Sequence, residues 1–548
     1  MSPISRREML AGLCGGSASL LAGCEGRTRP LPAAGEILTP TFSIGHRIRD
    51  GFRPRPAADR WQETDVVVIG GGISGLAAAW RLQRAGLTRF VVLELEPVPG
   101  GTSRFGRSPV TAYPWGAHYV PVPMRENRSL IALLREMGVI ERLDETGAPV
   151  VGEQFLCRDP SERIFFDGQW HEGLFPSDGA AARDLAELQR FRSEVGRWAG
   201  WRDTKGRRAF AIPIATGSDD AEVTALDLMS MADWLRRRGW NSDRLRWLVD
   251  YSCRDDYGLS SEETSAWAGL FYFASRLRTS GGESQPLITW PEGNGRIVRH
   301  LTDRLADHVH CGLACVGVDP GQRDGQSTVE IAAIDVRTEA VSGFRARRAV
   351  FAAPQFLAPF LIHNLSADRR RNALEFEYSP WLVANLHLRE RPRESSFPLG
   401  WDNVLYESRA LGYVTATHQT GLDYGPTVLT WYDALCDAPA RESRRWLQDL
   451  TWTQAAEIVL RDLEPAHPEI RTLVERLDVM KWGHAMVRPR TGFVWSRARR
   501  AAAEPFGPIH FASTDLSGVA LCEEAVFHGV RAAEEVLRGL GRNVDSLL

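Results

Sequence analysis

Gly70, Gly72 and Gly75, with Glu94 standing 24 residues after the first of them, have the types and spacing that hold a dinucleotide. Gly70 allows a tight turn, Gly72 lets the backbone approach a pyrophosphate with no Cβ in the way, and Gly75 lets a helix lie close to a strand. Ile73 and Ser74 open that helix, whose unpaired N–H groups and positive dipole end point at phosphates. The Glu94 carboxylate accepts hydrogen bonds from ribose hydroxyls and repels a 2′-phosphate, which argues against NADP.

Particular elements must position these residues. The apolar run 66–69 suits a buried parallel strand, Ala77, Ala78 and Ala79 give the helix a small packing face, and a second apolar run, 90–93, leads into Glu94 and Leu95. A glycine triplet alone is common in loops. Strand, turn, helix, strand and terminal acid in this order make the signal specific.

The segment after the acid reads Glu94-Leu-Glu-Pro-Val-Pro-Gly100-Gly101-Thr102-Ser-Arg104. It resembles the flavin-containing amine oxidase superfamily, in which a Gly-Gly pair passes beside the diphosphate and flavin. The family usually has Gly-Gly-Arg; here Thr102 follows the pair and the arginine comes at Arg104. The segment Tyr113-Pro-Trp115-Gly116-Ala117-His118-Tyr119 is similar to the family turn that runs along the isoalloxazine, without the family's acid. Residues 508–515 resemble the final family strand, whose acid, here Asp515, bonds the ribityl chain. The following stretch, 523–537, has helical apolar spacing and would bring Ala525 and Val526 to the flavin, with Glu523-Glu524-Ala525 where many relatives have Glu-Gly-Ala. Gly293 to Arg296, a helix over 297–305 and a strand over 313–318 complete the circuit, with Val316 in the place of the valine whose backbone binds adenine.

The resemblance implies an α/β fold with a discontinuous, Rossmann-like FAD-binding domain (64–124, 286–355 and 496–548) and an α+β substrate domain (125–285 and 356–495). Some relatives tether FAD through a cysteine shortly before the C-terminal motif. The stretch 488–510 has none, so non-covalent FAD is expected. Cys311 and Cys315 lack a matching His or Cys cluster, and no metal site is expected.

Many amine oxidases hold a water at flavin N5 with a lysine on a strand that resembles 381–388. This chain has only Lys205 and Lys481, and the register places Asn385, give or take one residue, at the lysine position. Trp482 resembles the aromatic residue that walls the flavin face, and His484, like His118, has a near-neutral side chain suited to acid or base work. The expected activity is oxidation of a C–N bond by hydride transfer to flavin N5. Two alternatives stay open: a flavin-dependent desaturase or isomerase of an apolar substrate, and a non-catalytic flavin-binding lipoprotein or assembly partner.

With 66 basic and 69 acidic residues among 548, net −3, the chain has no basic excess for nucleic acid, and its expected partner is a small-molecule substrate. Arg6-Arg7 and the apolar stretch to Ala22 resemble a twin-arginine signal (1–23), and Leu21-Ala22-Gly23-Cys24 looks like a lipobox. No other stretch approaches ~18 consecutive apolar residues. The expectation is export by the twin-arginine machinery to the periplasm or the outer face of the inner membrane, with any lipid attachment at Cys24. Residues 24–63, rich in Pro, Arg and Gly without sustained periodicity, read as a tether.

Overall fold

The computed structural model describes residues 31–38, 41–279, 282 and 284–548; the arginine pair, the apolar stretch and Cys24 lie outside them. Two sheets organise the molecule. The first contains seven strands in the order Val309–Cys311, Phe90–Glu94, Trp61–Ile69, Val341–Phe351, Gln326–Asp335 and Leu313–Arg323, with Ile509–Phe511 beside the C-terminal half of Val341–Phe351. Its central strands are parallel, and their register aligns Leu93, Ile69, Phe351 and Phe511 in one row. Val66, Val67, Val68, Ala349 and Val350 are fully buried because helices and loops cover both faces, which explains the unbroken apolar runs.

One face carries the helix Ile73–Arg84, flanked by Gly295–Leu305 and by the C-terminal helix Cys522–Gly539. Two glycines let these elements meet. A Cβ on Gly75 would stand 1.8 Å from the Gly70 carbonyl oxygen, and one on Gly529 would stand 2.3 Å from that of Ser74. The opposite face buries Val67, Ile69, Phe351 and Phe511 against Leu361 and Ile362.

The second sheet has eight strands in the order Ile37–Leu38, Val474–Val487, Tyr378–Leu388, Thr427–Ala434, Tyr413–Thr415, Asp402–Leu405, Glu162–Phe166 and Gln169–Glu172. Helices Ala440–Asp449 and Trp452–Leu463 pack on one side of it through Leu447, Val459 and Leu460. The other side, with Trp381, Val383, Trp401 and Tyr432, turns toward Tyr113 and Trp115. A helical layer, Ala182–Gly200, Met231–Arg237, Asp243–Tyr257 and Ala266–Ala274, closes over it around Phe191, Trp198, Trp234 and Trp267. Those tryptophans are core, the more common role for this residue.

The expected tether is folded where the structure describes it. Ile37 and Leu38 add a parallel edge strand to Val479 and Met480, and the helix Phe42–Arg49 buries Ile44 and Ile48 in the core of the first sheet. Thr41 fastens the join, donating from N to Glu96 Oε1 at 2.6 Å and from Oγ1 to Oε2 at 3.2 Å. No helix among the described residues is long and apolar enough to cross a membrane.

Candidate active site

The parallel strands all release their chains at one edge, where Gly70, Glu94, Ala352 and Ala512 follow the aligned row. In open α/β sheets this edge is where ligands bind. Gly70 turns with φ 105°, outside the range of ordinary side chains, and its N–H donates to Leu93 O at 2.8 Å. Gly100 N donates to Gly71 O at 2.8 Å, stitching the second glycine loop to the first. A Cβ on Gly72 would meet nothing within 4 Å, so the cradle in front of the helix Ile73–Arg84 is open. Ala117 N donates to Thr102 O at 3.1 Å, and a Cβ on Gly116 would lie 2.3 Å from that same oxygen. The loops around 100–103 and 115–118 therefore form one wall.

The wall encloses a cavity of about 780 Å³. Gly70, Gly72, Ile73, Ser74, Glu94, Leu95, Gly100, Gly101, Thr102, Gly116, Ala117, His118, Trp482, His484, Asp515 and Ala525 line it, so most of the residues read from sequence are brought together. Glu94 accepts from Gly71 N at 2.7 Å and from Glu96 N at 2.8 Å; each carboxylate oxygen keeps a second lone pair for a ribose hydroxyl. Asp515 Oδ2 accepts from Gln355 N at 2.8 Å and from the Tyr378 hydroxyl at 2.5 Å. An open glycine cradle at a helix N-terminus, a buried acid at the second strand and a second acid across the cavity fit an adenine dinucleotide carrying a flavin. Cys315 and Cys522 also line the cavity, but burial pushes the Cys315 thiol to about 12 and the Cys522 thiol well above its usual value; neither is a ready thiolate for a covalent link.

Gly75 lies beneath Gly70 and packs the helix against the turn. Other expectations are corrected. Arg104 turns from the cavity to Glu96, 3.6 Å away, the same carboxylate that holds Thr41. Val316 is 1% exposed in the core, the extra residue of a bulge between Cys315 and Gly317, while Ala314 and Cys315 before it line the cavity. Val526 is buried among the packed helices, and the Trp115 ring is buried while its carbonyl accepts from Trp482 Nε1 at 2.6 Å. Asn385 is fully buried with both ends of its amide occupied, Nδ2 donating to Pro114 O at 3.1 Å and Oδ1 accepting from Thr430 Oγ1 at 2.7 Å. It is not among the residues that line the cavity. On the same strand Trp381 and Val383 line the cavity instead.

Both histidines are neutral at pH 7. Burial pushes His118 down to about 4, against the Gly116 carbonyl 3.1 Å from Nδ1. That oxygen can only accept, so Nδ1 carries the proton and Nε2 is the basic nitrogen. His484 is also lowered to about 4, by burial first and then by Arg444 and His46; its ring, open to the cavity, stacks on Phe356 at 4.4 Å. His118 stacks on Tyr432 at 4.9 Å, with Tyr119 and Trp401 at 5.3 and 5.4 Å.

Sequence reasoning missed Asp255, Asp256 and Arg276, which line the same cavity. A signal existed: along the helix Asp243–Tyr257, Asp256 continues the buried stripe of Leu245, Val249 and Cys253, and a carboxylate on an apolar stripe needs a reason. Asp256 accepts from Arg276 at 2.9 Å and from the Tyr119 hydroxyl at 3.1 Å. Burial and then the Asp256 charge push Asp255 up to about 7. Lys481 reaches the lining as well, but its Nζ donates to the Gln448 and Leu450 carbonyls at the end of the helix Ala440–Asp449.

Fold and cavity together define an α/β protein with a dinucleotide cradle at the edge of one sheet and a cavity that extends from it toward the other. The family of flavin-containing amine oxidoreductases matches residues 73–537, and the chain belongs to that family. Membership of that family implies flavin-dependent redox chemistry with FAD as cofactor. The chain is 25% identical over 266 residues to amine oxidase [flavin-containing] B of Sus scrofa and 24% identical over 266 residues to that of Homo sapiens. Each alignment covers 46% of this chain and 45% of the relative, so the chain spans about half the length of the curated relatives it matches. Among solved structures, putrescine oxidase bound to putrescine superposes with a TM-score of 0.63 at 17% identity, covering 87% of this chain and 100% of that one. Cyclohexylamine oxidase from Brevibacterium oxydans gives 0.61 at 17% identity, covering 88% and 100%; a fatty acid isomerase from P. acnes gives 0.59 at 17% identity, covering 87% and 98%.

Proposed function

We propose that the enzyme oxidises an amine, removing a hydride from the carbon of a C–N bond. The observation that carries this reading is the wall beyond Ala117, where His118, Tyr119, Trp401 and Tyr432 pack ring against ring beside the Asp255 carboxyl. Aromatic faces and carboxylates attract an ammonium group, and a desolvated aromatic chamber favours the neutral amine that must lose the hydride. FAD supplies the two-electron acceptor when bound. Trp482, fixed by its bond to the Trp115 carbonyl, orients the substrate, while Trp381 and Val383 exclude water. His118 Nε2 is the basic nitrogen on this wall, and Lys481, held by carbonyls, is withdrawn from base duty.

Val383 and Trp381 also suit an apolar chain, which supports a second reading as a desaturase or isomerase of an unsaturated acid. One experiment separates them. The flavin-loaded enzyme is titrated without oxygen with monoamines, diamines, amino acids and polyenoic acids, then exposed to air. Amines should bleach the flavin band, and air should restore it with release of peroxide. Bleaching by a polyenoic acid and by no amine overturns the amine reading.

Export belongs to the same proposal. Arg6-Arg7 and Leu21 to Cys24 support twin-arginine transport and a lipid on Cys24. Arg6→Lys with Arg7→Lys should hold the enzyme in the cytoplasmic fraction, and the mass of the mature N-terminus reports the lipid. An unchanged distribution would contradict this address.

A further inference from the structure

We propose that the helix Phe42–Arg49, with Thr41 at its head, belongs to the cofactor site: it roofs the cavity and must lift before FAD can leave. The family match supplies no such element, because it begins at residue 73. The inference needs FAD in the cradle and is independent of which substrate is oxidised. Phe42, Gly45 and His46 line the same cavity as Gly70 and Glu94. Ile44 and Ile48, four residues apart and so on one face, seat the helix in the core of the first sheet, where it meets the helix Ala358–Leu361. His46 lies within electrostatic reach of His484 on the second sheet. The helix therefore crosses the cavity from one sheet toward the other. Beyond its end Arg53 Nη1 donates to Ile48 O at 2.8 Å, and Arg47 pairs with Glu339 at 2.7 Å. Only two of its eight residues are buried, so it can open locally without unfolding the rest.

Glu96 couples this roof to the cofactor. Threonine at a helix N-cap usually turns its hydroxyl to the first backbone N–H groups, but the Thr41 side chain makes no such bond. It donates to Glu96 Oε2 at 3.2 Å instead, while Thr41 N donates to Oε1 at 2.6 Å. Glu96 N in turn donates to Glu94 Oε1 at 2.8 Å, and Glu94 Oε2 accepts from Gly71 N at 2.7 Å. One chain of hydrogen bonds thus joins the head of the roof, the acid read as the ribose partner and the glycine turn. A ligand that fixes Glu94 also fixes Glu96 and Thr41. The coupling is reciprocal: a seated helix tightens FAD, and FAD tightens the seating by the same factor. A helix that merely packs would not distinguish the loaded protein from the empty one.

Two measurements on the full chain test this. Flavin fluorescence after dilution follows FAD release. Thr41→Val removes the hydroxyl bond to Glu96 and should speed release about twofold to tenfold, whereas Thr41→Ser keeps that bond and should release FAD at the wild-type rate. The second measurement uses wild type alone. Trypsin can cut after Arg47 only when the helix unwinds, and FAD should slow that cut by about tenfold or more. Cleavage after Arg371, on the exposed side of the helix Ala367–Leu374, reports general loosening and should change far less. Release at the wild-type rate from folded Thr41→Val overturns the proposal, as does equal slowing at Arg47 and Arg371; if Thr41→Val does not fold, the proteolysis decides. A chain that takes up no FAD overturns the roof and the cofactor together, while either of the first two failures leaves the amine reading intact.

Discussion

Replacing Gly529 by alanine should loosen the cofactor cradle from behind. Gly529 lies inside the helix Cys522–Gly539, where alanine is intrinsically better than glycine by about 1 kcal/mol. Packing opposes that gain. The new methyl would sit 2.3 Å from Ser74 O, 2.9 Å from Ala77 Cβ and 3.0 Å from Ala78 N, atoms of a second rigid helix. Ordinary contact begins near 3.4 Å, so the helices must part by roughly 1 Å, which forfeits a quarter to a half of each dispersion contact between Ala77, Val526, Val530 and Ala533. Overpacking of this kind costs about 1–3 kcal/mol, and a backbone obstacle places it at the upper end. The net effect is a loss of about 1–2 kcal/mol. Because Ser74 belongs to the turn that meets the diphosphate, FAD retention should fall in the same variant. Gly45 is the control: it too lies in a helix, Phe42–Arg49, but a Cβ there meets nothing within 4 Å, so Gly45→Ala should gain up to about 1 kcal/mol. Urea unfolding of the flavin-free proteins, followed by near-UV circular dichroism, compares the two. A Gly529→Ala midpoint at or above wild type would refute the close-packing argument.

Three further outcomes are expected. Glu94→Gln turns one acceptor into an amide donor facing Gly71 N–H or Glu96 N–H, a loss of about 1.5–3 kcal/mol that should cut FAD affinity roughly tenfold to a hundredfold; flavin per protein after gel filtration measures it. Glu524 is raised to about 7, chiefly by burial, against bonds from Ser517 Oγ and Ile214 N. Its folded pKa exceeds the ordinary 4.5, so its contribution to stability is complete below pH 4.5 and is lost as pH rises through 7. Glu524→Gln, which mimics the protonated acid, should gain on wild type by on the order of 3 kcal/mol between pH 4 and pH 8, and parallel stability curves would contradict that. Asn385→Leu leaves the Pro114 carbonyl and the Thr430 hydroxyl unpaired in the interior and should cost about 2–5 kcal/mol in the unfolding free energy, the signature of a structural amide.

The cradle was legible because its signals are local. Strand, turn, helix and acid follow one another within thirty residues, and each of Gly70, Gly72 and Glu94 has a physical reason that survives without tertiary context. Asn385 failed for a geometric reason. Trp381, Val383 and Asn385 share one face of a strand, and period-two alternation cannot say where along that face the cavity ends. The stretch 31–49 was misread because a two-residue strand and an eight-residue helix are too short to show a period, although Ile44 and Ile48 are spaced for burial. Arg104 pairs with Glu96, an opposite charge eight residues earlier that the family comparison gave no reason to consider.

The strand Ile509–Phe511 and the helix Cys522–Gly539 have a consequence for biosynthesis. The growing polypeptide makes its glycine turn well before the strand that ends the aligned row, Asp515 and the helix that buttresses Ser74. Before that moment the turn stands without its support and without the acid on the far side of the cavity. Cofactor capture therefore waits until residues 509–539 have been made and have folded against the turn.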